Sequence, residues 1–75
     1  MNNAIIIIND IAIPQHLIKE IIIEEKEKLM EQFSGWYIII KTDNEEYESL
    51  CYKTETKCRK AFKTLCEQLG TCVYL

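Results

Sequence analysis

The chain has 75 residues, 48% of them hydrophobic and 28% charged, with two glycines and one proline. A chain of that length forms one domain (residues 1–75) that buries about 60% of its extended surface, which excludes a roomy enclosed active site, and the composition excludes a disordered chain. The formal net charge of −3 is unevenly shared, −6 over residues 1–50 and +3 over residues 51–75, so a uniformly basic nucleic-acid binder is excluded too.

The opening Met1-Asn2-Asn3 has no basic residue and no small-residue cleavage site follows it, so no secretory leader is read. No apolar run approaches the ~18 residues of a membrane span. A cytoplasmic protein without membrane association is expected, its four cysteines reduced. The thirteen isoleucines, with many Lys, Glu and Asn, suggest an AT-rich genome, which bears on source and not on function.

Ala4-Ile5-Ile6-Ile7-Ile8 is apolar without alternation and β-branched, which reads as a strand inside a sheet. Ile11-Ala12-Ile13-Pro14 either extends it past a kink or forms a connector, and Pro14 suits the first turn of a helix. A first helix is expected over Pro14–Phe33, from Leu17, Ile18, Ile21, Ile22, Leu29, Met30 and Phe33 at helical spacing. That stripe drifts, with Glu25 between its early and late members, so the helix bends near Ile23 or exposes Ile23 and Met30 to a partner.

Ser34-Gly35 is a stop, and Trp36–Thr42 reads as a second strand, aromatic and β-branched. Asp43-Asn44-Glu45 has turn chemistry and leads into a third strand over Glu46–Lys53, closing a hairpin. Thr54 or Thr56 caps a second helix carrying Cys58, Ala61, Phe62, Leu65, Cys66 and Leu69 on one stripe, ended by Gly70. Thr71–Leu75 is a last short strand.

The order strand, helix, strand, strand, helix, strand leads to an α+β, ferredoxin-like β-α-β-β-α-β fold, a four-stranded antiparallel sheet of order 4-1-3-2 with two helices on one face. The other face would be open and apolar, with Trp36 and Tyr37 on strand two, so a second copy or a partner protein is expected over it or along an edge strand.

The cysteines at 51, 58, 66 and 72 lack zinc-knuckle spacing. Cys58 and Cys66 read as reduced core thiols on helix two, whereas Cys51 and Cys72 could meet across the sheet. His16, the one histidine, reads as solvent-facing and far from any thiol. An aspartate ending a central strand resembles the arrangement in small ferredoxin-like nucleases associated with CRISPR systems, over Asn9-Asp10-Ile11; that likeness implies a metal-dependent nuclease built on Asp10. The bland reading of Asp10 is a loop or cap residue.

Asp43, Glu45, Glu46 and Glu48 form an acidic run suited to a basic partner, or simply to a solvated hairpin tip. Lys57, Arg59, Lys60 and Lys63 lie on the outer face of helix two and offer a nucleic-acid contact, disfavoured by the acidic net charge and the lack of aromatic residues on strand one. The expected function is a small non-enzymatic protein-binding module that forms a homodimer. It would be an inhibitor or accessory protein, of phage or mobile-element origin, that blocks a host defence or transcription complex. Its surface would be Asp43, Glu45, Glu46 and Glu48 with Trp36 and Tyr37, and its partner a larger basic or nucleic-acid-binding protein. No cofactor and no metal are expected.

Overall fold

The computed structural model describes residues 4–75. Strand β1 (Ile5–Ile8) turns back at once into β2 (Ile11–Pro14), with Ile8 opposite Ile11 across a two-residue loop. Asn9 and Asp10 both adopt positive φ, 50° and 66°, the backbone that the tightest hairpin loops require and that Asn and Asp tolerate best. Strand β3 (Glu20–Lys26) forms a second hairpin with β4 (Gly35–Lys41), and β5 (Glu46–Glu48) follows it antiparallel. Helix α1 (Glu55–Glu67) leads to β6 (Val73–Tyr74), which lies parallel to β1. The result is two three-stranded sheets, ordered β2-β1-β6 and β3-β4-β5, and one helix.

This overturns the four-stranded ferredoxin-like sheet and its helix over Pro14–Phe33. Ile21, Ile22 and Ile23 stand opposite Ile40, Ile39 and Ile38, a ladder of β-branched pairs that a helix could not offer them. Only single 3₁₀ turns at Gln15–Leu17 and Glu31–Phe33 are helical there. The broken stripe at Glu25 was the trace of the wrong period. Pro14 closes an edge strand, where a missing N–H is tolerated, and starts no helix. β1 is central, as its isoleucines demand, but between β2 and a parallel β6.

The core joins both sheets and the helix: Ile6, Ile8 and Ile13 from the first sheet, Ile38 and Ile40 from the second, Cys58 and Leu65 from α1, and Val73 from β6. The Thr54 side chain accepts from the Lys57 N–H at 3.2 Å, a cap worth about 1 kcal/mol. Cys58 and Leu65 are buried on the helix stripe, whereas Cys66, one residue further round the helix from Leu65, is exposed, and so is Leu69, beyond the end of α1. All four cysteines are free thiols, Cys51 and Cys72 included.

Gln15 ties the two ends of the chain together. Its amide donates to the Ile5 and Thr71 carbonyls, at 3.3 and 2.7 Å, and accepts from the Gly70 N–H at 2.9 Å. That clamp lets a strand of only two residues hold its place beside β1.

Candidate binding groove

The third expected strand, Glu46–Lys53, is interrupted. Glu48 lies opposite Ile39, yet four residues on Tyr52 bridges Trp36, so the β5 side carries one extra residue. Ser49 occupies this bulge, buried, its hydroxyl accepting from the Ile38 N–H at 3.0 Å and donating to the Leu50 carbonyl at 2.9 Å. The side chain thus replaces a ladder bond and throws Leu50 outward, where it is 66% exposed. Gly35 allows the return: a Cβ there would stand 2.6 Å from the Tyr52 carbonyl and 2.7 Å from the Cys51 sulfur.

Opposite Leu50 lies the long loop from Glu27 to Ser34 that joins β3 to β4. Ser34 pins its base, accepting from the Lys28 N–H at 2.7 Å and donating to the Lys28 carbonyl at 3.2 Å. Tyr37 donates its hydroxyl to the Phe33 carbonyl, and Lys53 donates to that of Gln32. With its backbone so held, the loop turns Leu29, Met30 and Phe33 outward, and Leu29 is fully exposed. These three and Leu50 line a groove of about 500 Å³, with Tyr37, Lys28, Glu48 and Asn9 completing its walls.

Electrostatics fix the groove's wall. Glu48 accepts from Lys26 and Lys28, both at 3.0 Å, and Lys28 sits 5.1 Å from the centre of the Tyr37 ring. Burial pushes the Glu48 carboxyl up, but the two ammonium groups outweigh it and hold its pKa below the ordinary value. The hydrogen bond that Lys26 donates to Glu48 leads the causes that raise its own pKa. Burial likewise raises the Tyr37 phenol, with Cys51 adding to it.

The expected partner surface is thereby redistributed. Tyr37 is 4% exposed and Ile39 1%: Lys28 lies over the Tyr37 ring, and Lys26 and Glu48 flank Ile39, so these two residues present no open apolar surface. Trp36 turns to the opposite side, half-buried against the core. Asp43, Glu45 and Glu46 remain at the exposed β4–β5 tip, where Glu45 accepts from the Tyr47 hydroxyl at 2.6 Å and Asp43 lies 3.6 Å from Lys19. Glu48 belongs to the groove instead. Of the two residues that the expected first helix would expose if it did not bend, Met30 is exposed and Ile23 packs on the core.

Lys57, Lys60 and Lys63 are exposed on α1 without an ion pair among the described residues, and Arg59 pairs with Glu55 at 2.7 Å. Asp10 sits at a hairpin tip, and among the described residues no three His, Cys, Asp or Glu side chains converge as metal ligands. His16 is exposed. No helix among the described residues is long and apolar enough to cross a membrane. Sequence reasoning missed Leu29, Phe33 and Leu50, for which the signal was Leu29-Met30 set inside a charged run just before Ser34-Gly35.

Comparison with known proteins finds no family model that matches the chain, no similar curated protein and no similar solved structure.

Proposed function

We propose that the protein is a binding module that takes an apolar anchor of a partner protein into the groove between the β3–β4 loop and Leu50. The carrying observation is the clustering of Leu29, Met30, Phe33 and Leu50 around one cleft, on a backbone held by Ser34, Tyr37 and Lys53. Burying one fully exposed leucine contributes about 1.5–3 kcal/mol, and such side chains gathered on a fixed frame mark contact surfaces. Strand β5 runs from the acidic β4–β5 tip to the groove, so the fitting partner segment has apolar anchors followed by Lys or Arg. Occupying a surface on a larger basic protein would make the module an inhibitor or accessory factor.

A random peptide library panned against the protein tests this reading. Enriched peptides should combine large apolar residues with a basic flank, weaken with salt, and bind the Leu29→Asp chain at least ten times more weakly. Enriched peptides that bind the Leu29→Asp chain as well as the wild type would refute it. Lys57, Lys60 and Lys63, exposed and without an ion pair among the described residues, support a second reading, contact with nucleic acid. In that case a gel shift at low salt would be lost on Lys60→Glu and unaffected by Leu29→Asp.

A further inference from the structure

We infer that β3 pairs edge to edge with β3 of a second copy of this chain, joining two three-stranded sheets into one continuous antiparallel sheet. This goes beyond the groove and stands independently of it, since it uses the backbone of a different strand.

The sheets leave four edges, and three are blunted. β2 ends in Pro14, β6 has two residues, and β5 has three before the bulge at Ser49. β3 runs for seven residues with no proline, glycine or bulge, and none of its residues is buried. Long unprotected edges are templates for another strand.

The hydrogen-bond phase shows which groups are free. Trp36 exchanges bonds with Tyr52, and Ile38 bonds Ser49, so these residues of β4 face the β5 side. Tyr37 and Ile39 therefore face β3, where their opposite numbers are Glu24 and Ile22. In an antiparallel strand the direction alternates, which leaves Ile21, Ile23 and Glu25 with N–H and C=O pointing away from the sheet.

Charge then selects the register. A two-fold axis at Ile23 sets Ile23 against its own copy and Ile21 against Glu25, all outward-bonding residues. The same axis sets Glu20 against Lys26 at both ends and Ile22 against Glu24, so the whole strand is used and no like charges oppose. An axis at Glu25 would oppose Glu25 to itself, and one at Ile21 would strand Glu24, Glu25 and Lys26 without partners. Glu20 and Lys26 already lie in part-exposed ion pairs with Lys41, at 3.7 Å, and Glu48, at 3.0 Å, so the junction would extend an existing charge ladder.

Sedimentation equilibrium on the full chain, with circular dichroism to confirm folding, tests the pairing. The wild type should be a dimer. Glu20→Lys and Lys26→Glu should each weaken self-association, on the order of tenfold from two like-charge oppositions per dimer. An equimolar mixture of these two chains should recover a heterodimer near wild-type affinity, because each then meets its opposite charge. Glu25→Pro, which deletes an outward N–H at an exposed side chain, should give a folded monomer. A wild type that stays monomeric to about 1 mM, a dimer indifferent to both charge reversals, or variants that fail to complement each other would overturn the proposal.

Discussion

The two hairpins are built from the same material and end differently. In β1–β2 the isoleucine strands are joined by Asn9-Asp10, whose left-handed backbone closes the loop in two residues. In β3–β4 the isoleucine ladder is as regular, yet Lys26 and Gly35 are joined by a long loop that holds Leu29, Met30 and Phe33 away from the core. A loop serving closure alone could be short and polar. One carrying three large apolar residues on a pinned backbone is what the proposed binding groove requires.

Substitutions can break this contrast. The largest effect belongs to the ladder: Ile38→Ala removes a fully buried side chain and should cost about 3–4 kcal/mol in urea unfolding. Gly35→Ala comes next, at about 2 kcal/mol, because its methyl group would press on the Tyr52 carbonyl. At the tight hairpin, Asp10→Val should cost about 1–2 kcal/mol for a branched residue at φ 66°, whereas Asp10→Gly should be neutral or stabilising.

Smaller still is the ion pair beneath the loop. Glu48 has a carboxyl pKa held below its ordinary 4.5, so its stabilisation is present above about pH 4.5 and lost as pH falls through the lower folded value. Lys26 is raised above its ordinary 10.5, so its contribution is full below that pH and lost as pH rises through the higher folded value. Both groups are part-exposed, and screening limits the pair to under about 1 kcal/mol. Melting curves of Glu48→Gln should show a shallower loss of stability below pH 4.5 than the wild type.

Much of the local structure was legible. The β1 run, the Trp36–Thr42 strand and the helix from Thr54 carry strong local chemistry and begin within a residue or two of their expected places, whereas the hairpin strand expected over Glu46–Lys53 starts where expected and ends at Glu48. Between Pro14 and Phe33 the text was ambiguous, because isoleucines at 18, 21 and 22 satisfy a helical stripe as readily as a strand. The pairing with Ile38, Ile39 and Ile40 decided it, and that is a long-range contact no window displays. Asn9-Asp10 was a turn signal read as a strand end. The groove was illegible for a related reason, since its walls come from a loop and a bulge some twenty residues apart.

Equilibrium unfolding of the Leu29→Asp chain beside the wild type tests most directly whether the loop's apolar residues are surplus to folding. The free energies should agree within about 0.5 kcal/mol, as for a surface substitution. A loss of about 2 kcal/mol or more would show that Leu29 is packed inside the protein, and the groove would then be core and not a surface for a partner.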